Sequence, residues 1–351
     1  MIKILEDLPR GMLEVEANEL HQFIDNHTLA YIKGQIQQPL FISILQHGNE
    51  TTGWDAIKLL LNRYQDQLPR SIYLLFGNVQ ATAKNLRQLD GQPDFNRCWP
   101  GLHNKQDNIS TKMAEITQMM SDIKPFASID IHNNTGRNPH YAGINSMSAE
   151  FVNLASLFSD TIIHFTSPDG IQSGAFAPFC PAVTIECGLS GTADGIEQTH
   201  DFLKQLIQLP SLTEIPGANT KQEVLNIFST VKVKPEVTIG IAGTEKEQVD
   251  FLINSDLDCC NFKMIEQGTV FGRTRSTNTP MPFMVSDQAG KDITDTYFIM
   301  NGQEVVTKQK VIPAMITQSI HAIRLDCLCY FMQPMNTENP YEAQQHINIQ
   351  S

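Results

Sequence analysis

From about residue 38 to residue 209 the chain alternates short apolar, β-rich runs with stretches of helical period, and this alternation limits the folds open to it. The spacing predicts strands at Leu40–Leu45, Ser71–Gly77, Phe126–Ile131, Thr161–Phe165 and Ala182–Glu186. It predicts helices at Trp54–Tyr64, after a cap at Ser110 until Pro125, at Glu150–Phe158 and at Glu197–Leu209. Apolar strands separated by helices build an α/β domain whose sheet is covered on both faces. After residue 210 the pattern changes. Pro210, Pro216, Gly217 and Asn219 suggest a linker, with a short helix expected at Gln222–Phe228. The helical period then largely gives way to strand-like runs between turn residues, the last of them Ser319–Tyr330. The expected organisation is a domain over 1–210, a smaller β-rich domain over 220–335 and a polar tail over 336–351.

Three of the predicted strands stop on polar residues with chemical capacity. Gln46-His47-Gly48-Asn49-Glu50 follows the first strand, Asp130-Ile131-His132-Asn133-Asn134 follows Phe126-Ala127-Ser128, and Glu186-Cys187-Gly188 follows Ala182–Ile185. Ligand sites of open α/β sheets lie beyond the carboxyl ends of strands, so distant segments can meet there. His47 and Glu50, three residues apart on a turn entering a helix, can face one ion, and His132 adds a third ligand from another strand. Two imidazoles and a carboxylate suit a catalytic zinc ion with one position left for water, although other divalent metals accept such a set. Asp130 shares a strand face with His132 and is placed to orient a ligand. Alone, His-x-x-Glu is a common chance pattern; the conjunction of segments gives it weight.

With 351 residues the chain exceeds the usual size of one domain. Its 41% hydrophobic and 18% charged residues are those of a globular protein. A formal net charge of −13 argues against nucleic acid or an anionic membrane surface as a general partner. The N-terminal residues lack the apolar core of a signal peptide, and no run approaches the ~18 apolar residues that span a bilayer. Seven cysteines without a Cys-x-x-Cys motif read as free thiols in a reducing cytoplasm.

In this order, His47-Gly48-Asn49-Glu50, the segment from Gly77 to Arg97 with its Asp94-Phe95-Asn96-Arg97, the Asp130–Asn134 strand end and Thr184–Gly188 resemble the succinylglutamate desuccinylase/aspartoacylase family of the zinc-carboxypeptidase superfamily. The resemblance covers most of 38–210. It implies a zinc-carboxypeptidase-like domain with a mixed sheet flanked by helices, plus a smaller appended β-rich domain. It further implies one Zn2+ on His47, Glu50 and His132, with Glu186 as the general base that activates water and later protonates the leaving amine. Arg87 matches the arginine that polarises the scissile carbonyl, and Asn96 and Arg97 match the pair that holds a substrate carboxylate. The Arg87–Asn96 spacing is about two residues longer than in aspartoacylases, through Gly91-Gln92-Pro93. A substrate-contacting tyrosine and a second carboxylate-binding arginine have no clear counterpart; Tyr297 and Arg137 are the nearest residues. The expected substrate is a small N-acyl amino acid or a short peptide, and a homo-oligomer stays open as a partner. A carboxypeptidase or cell-wall peptide hydrolase, and a silent metal- or ligand-binding protein, are the competing readings. His140 is placed to line a pocket, whereas Trp99, Met113, Met119 and Met120 suit packing.

Overall fold

The structure is a computed structural model that describes residues 4–65, 67–101, 107–166, 168–213, 223–244 and 248–335. It divides into two compact units. The first holds residues up to Asn133 together with His140–Glu223, and the second holds Asn134–Pro139 with the chain from Val224 onward.

The first unit contains β1 (Ile4–Leu5), β2 (Thr28–Ile32), β3 (Gly34–Ile44), α1 (Thr52–Arg63), β4 (Leu68–Phe76) and α2 (Val79–Thr82). These are followed by α3 (Asn108–Ile123), β5 (Ala127–Asn134), β6 (Tyr141–Ile144), α4 (Ala149–Ser156), β7 (Thr161–His164), α5 (Gln172–Phe176), β8 (Ala182–Leu189) and α6 (Ala193–Leu206). The strands lie in the order β1-β2-β4-β3-β5-β8-β6-β7. β3 runs parallel to both β4 and β5, while β2–β4 and β6–β8 are antiparallel, so the sheet is mixed. Leu40 to Leu45 are all buried, as an apolar run covered on both faces must be. α1 buries Trp54, Ala56, Ile57, Leu60 and Leu61 along one stripe and packs on α6 and β3. α4, α5 and α6 all pack on β8.

The second unit begins with β9 (Glu223–Val233), β10 (Ile239–Ile241), β11 (Phe251–Ile253), β12 (Val270–Thr274) and β13 (Phe283–Asp287). It continues through α7 (Thr294–Tyr297), β14 (Phe298–Asn301), β15 (Glu304–Thr307), β16 (Ile312–Ala314), α8 (Ile320–Leu325) and β17 (Cys329–Pro334). β9 pairs antiparallel with β13 and β17, and β10-β11-β12-β15-β14 form a separate sheet. Phe251, Phe271, Phe283, Phe298 and Phe331 meet edge-on or tilted in its core.

Four sequence expectations are corrected. Glu223–Phe228 is strand, not helix: buried Val224, Leu225 and Ile227 fit either period, and pairing with β17 decides between them. Ser319–Leu325 is not strand-like; Ser319 caps α8 by accepting from the Ala322 N–H. The cap of α3 is Asp107 rather than Ser110, its carboxylate accepting from the N–H groups of Ile109 and Ser110 at 2.9 and 2.8 Å. Asn134–Pro139 groups with the second unit, outside a continuous 1–210 domain, because its partners are there. Thr317 Oγ1 donates to the Thr135 carbonyl at 3.0 Å, and Asn138 Oδ1 accepts from the Met315 N–H at 3.1 Å. Pro216, Gly217 and Asn219 of the expected linker, and the expected 336–351 tail, lie outside the described residues. No described helix is long and apolar enough to cross a membrane.

Candidate active site

β3 ends at Ile44, and Leu45 then takes a left-handed backbone at φ 59°, which turns the chain out of the sheet and into the His47–Glu50 segment. A residue with a Cβ adopts this conformation only at a cost, so the surroundings must hold it. The Gly77 and Asn78 N–H groups do so by donating to the Ile44 and Leu45 carbonyls. Gly48 is required next: a Cβ there would lie 2.3 Å from the Thr82 amide nitrogen. Its own N–H donates to the Arg87 carbonyl at 2.9 Å, joining the His47 turn to the Arg87 segment. Thr51 then leads into α1.

One ligand atom each from His47, Glu50 and His132 lie within 4.8 Å of one another, and all three residues are buried. His47 Nδ1 is 2.8 Å from Glu50 Oε1, and His132 Nδ1 is 2.8 Å from Glu50 Oε2. The far nitrogens face other carboxylates: His47 Nε2 is 3.0 Å from Asp94 Oδ1, and His132 Nε2 is 2.9 Å from Asp130 Oδ2. Asp130 is fully buried and also accepts from Ser43 Oγ at 2.5 Å. The Asn133 N–H donates to Glu50 Oε2 at 3.2 Å, while its side-chain amide donates to Thr52 Oγ1 and the Gly188 carbonyl. These bonds fix the β5 end against the start of α1.

Burial alone would raise the pKa of Glu50, but the neighbouring His47 and His132 overcome it and hold the carboxyl well below the usual range. Burial likewise opposes protonation of His132, yet Asp130 and Glu50 raise its pKa well above the ordinary histidine value. Glu186 behaves differently. It is half-buried, its enclosed Oε2 has no hydrogen-bond partner among the described residues, and its pKa is pushed up to about 8. Burial is the largest cause; His132 and Arg87 oppose the rise, and Glu50 and Asp130 add to it. An enclosed carboxyl oxygen without a partner is costly unless something else engages it.

The donor set therefore fits a divalent metal: Nδ1 atoms of two histidines flank one carboxylate, and each Nε2 has the carboxylate acceptor that metal-binding imidazoles normally have.

Arg87 Nη1 is 3.5 Å from Glu50 Oε1 and Nη2 is 3.2 Å from Asp94 Oδ2. The Arg87–Asn96 loop is held by Gln92, whose Oε1 accepts from Asn78 Nδ2 and the Leu89 N–H, each at 2.9 Å. Asn96 and Arg97 lie in a short 3-10 turn, Phe95–Arg97, opened by Asp94. Asn96 Oδ1 is buried without a partner, and Arg97 Nη1 donates to the Asn96 carbonyl at 2.8 Å.

His132 lies within β5 rather than beyond it, because the strand continues past the apolar residues; Glu186 lies within β8 as expected and pairs with Tyr141 of β6. The residue that the sequence reading missed is Asp94. The signal for it was the need of His47 for an acceptor on its far nitrogen. His140 buttresses β8 from beside Gly188, where an added Cβ would sit 2.7 Å from His140 Nε2. Trp99 packs with Phe41 and Phe176, and α3 buries Met113 and Met120. In the second unit, Tyr297 packs against Phe228 and Phe331. Arg137 Nη1 donates to Cys259 Sγ at 2.9 Å, and its Nε is 3.6 Å from Asp258 Oδ2.

The mixed sheet and the gathering of His47, Glu50 and His132 at its strand ends define a zinc-carboxypeptidase-like domain. Residues 37–208, just under half of the chain, match the succinylglutamate desuccinylase/aspartoacylase catalytic domain. Among solved structures, the fold is similar to succinylglutamate desuccinylase/aspartoacylase from Rhodobacter sphaeroides (12% identity, TM-score 0.56, 88% of each chain covered). It is also similar to murine aminoacylase 3 (14% identity, TM-score 0.53, 87% of this chain and 97% of that one). Succinylglutamate desuccinylase from Chromobacterium violaceum gives 15% identity and a TM-score of 0.50 over 86% of each chain. No curated protein sequence matches the chain.

Proposed function

We propose that this protein is a zinc-dependent hydrolase that deacylates an N-acyl amino acid by cleaving the amide bond next to a carboxylate. The observation that carries the reading is the Glu186 carboxyl, whose enclosed Oε2 has no partner among the described residues and which feels the charges of His132 and Glu50 in the His47–Glu50–His132 group. A protein that only stored metal would have no use for it. The family, and the aminoacylase and desuccinylase names of similar structures, support an acylated amino acid as substrate.

His47, Glu50 and His132 would hold the zinc, which supplies Lewis acidity and makes water easier to deprotonate. Glu186 takes the proton from the attacking water and later delivers it to the leaving amine nitrogen. Arg87 donates to the substrate carbonyl oxygen as it gains negative charge. Arg97 presents a planar fork to the substrate carboxylate, and Asn96 adds a neutral amide. Asp130 keeps the His132 ring oriented. The seven free thiols, five buried and two half-buried, support a reducing, cytoplasmic setting.

The test is a panel of N-acetyl and N-succinyl amino acids and short peptides, offered to zinc-loaded and chelated protein. Hydrolysis of the acyl amino acids, lost on chelation and restored by zinc, is the expected result. Faster cleavage of peptides would favour a carboxypeptidase, and binding without turnover a silent protein. In the same assay Arg97→Ala raises KM about tenfold or more, with a smaller change in kcat, because it removes a charge-assisted contact made in ground and transition states alike. An unchanged KM would remove Arg97 from carboxylate binding.

A further inference from the structure

We propose that Asp94 is a positioning residue that couples metal capture to recognition of the substrate carboxylate. The inference rests on the functional reading above and adds to it a residue with no assigned role. Asp94 Oδ1 faces His47 Nε2 at 3.0 Å and accepts from the Asn96 N–H at 2.9 Å. Its Oδ2 accepts from Arg87 Nη2 at 3.2 Å. Its backbone carbonyl accepts from the Arg97 N–H at 3.0 Å and from Cys98 Sγ at 3.2 Å. One residue thus holds a metal ligand, the arginine assigned to the carbonyl, and the turn that carries Asn96 and Arg97.

The corresponding acid on the other histidine is a useful contrast. Asp130 faces His132 Nε2 with one oxygen and accepts from Ser43 with the other, and among the described residues it has no bond to the Phe95–Arg97 turn. Both acids hold an imidazole whose Nδ1 faces Glu50, as outer carboxylates do for metal-binding histidines. Only Asp94 sets a second geometry at the same time. Rotation about its Cα–Cβ bond would release His47, Arg87 and the Asn96 amide together. A ligand that fixes one of these contacts removes the ordering cost for the others, which is a coupling free energy and acts in both directions.

The experiment compares full-length Asp94→Asn and Asp130→Asn with the parent. Zinc affinity is measured by competition with a chromophoric chelator, kinetics use whichever N-acyl amino acid the parent cleaves, and thermal melts of the metal-free chains confirm folding. Asparagine keeps the shape of Asp94 but turns N–H groups toward Arg87 and weakens the acceptor at His47. Asp94→Asn is expected to weaken zinc binding by about 10–100-fold and to raise KM about tenfold. Asp130→Asn should weaken zinc to a similar degree and leave the KM of zinc-saturated enzyme within about twofold of the parent. Parent-like zinc affinity in Asp94→Asn, or the same profile in both variants, overturns the proposal. Should the parent bind zinc but cleave no acyl amino acid, the functional reading falls with the carboxylate half of this one. Zinc affinity of Asp94→Asn then decides the other half.

Discussion

Replacing His132 with alanine is expected to abolish both zinc binding and hydrolysis. The imidazole is buried between two acids, with Nδ1 2.8 Å from Glu50 and Nε2 2.9 Å from Asp130. Its removal takes one of the three proposed protein ligands, so the loss of metal affinity should exceed the 10–100-fold typical of a lost outer partner. It also leaves two buried carboxylates short of a positive neighbour, which costs about 3–5 kcal/mol where one partner of a buried pair is deleted. The metal-free variant should therefore melt well below the parent. His132→Gln, which keeps a polar side chain between the acids, separates that folding effect from the loss of the ligand. Calorimetric zinc titration and a melt check both claims. Retained hydrolysis in a folded alanine variant would contradict the assignment of His132 as a ligand.

Glu186→Gln should give the opposite split: zinc affinity close to that of the parent, with turnover reduced by about 10²–10⁴, the usual contribution of a positioned proton-transfer group. The amide matches the carboxyl in size but cannot accept the proton of water. A second consequence follows in the metal-free protein. The folded chain holds the Glu186 proton up to about pH 8, whereas an unfolded chain releases it near pH 4.5. Between these values the folded state binds more protons, so the Glu186 contribution to stability is complete below pH 4.5 and is lost as pH rises through 8. Glutamine does not ionise. Relative to the parent, Glu186→Gln should gain stability steadily across that window, by at most about 1.4 kcal/mol per pH unit. Parallel denaturation curves at pH 5 and pH 8 would show that the carboxyl is not held neutral by its burial.

Much of the first unit could be read from residues alone because burial and chemistry left separate marks on it. Leu40–Leu45 and Ala182–Glu186 read as covered strands, and the abrupt change to polar residues at His47 and Glu186 marked the candidate residues at their ends. Asp94 left no such mark. An aspartate that opens a turn looks like a simple cap, and it does cap the Asn96 amide; its bonds to His47 and Arg87 depend on a chain fold that brings residues 47 and 94 together. Strand limits were also hidden, since β5 runs on through His132 under polar side chains. In the second unit, Val224–Phe228 and Ile320–Leu325 carry apolar spacings compatible with either period. Pairing with β17 makes the first a strand, and the Ser319 cap starts the second as a helix.

The placement of Asn134–Pro139 bears on how such a protein can be cut or recombined. The chain passes from His132 and Asn133 straight into six residues whose partners are Asn261, Met315, Ile316 and Thr317. A fragment ending near residue 210 would carry every proposed ligand yet deprive that hexapeptide of its partners beyond residue 260, immediately downstream of a proposed ligand. The two units are thus stitched rather than strung in series, and grafting the first alone onto another scaffold would transplant an incomplete piece.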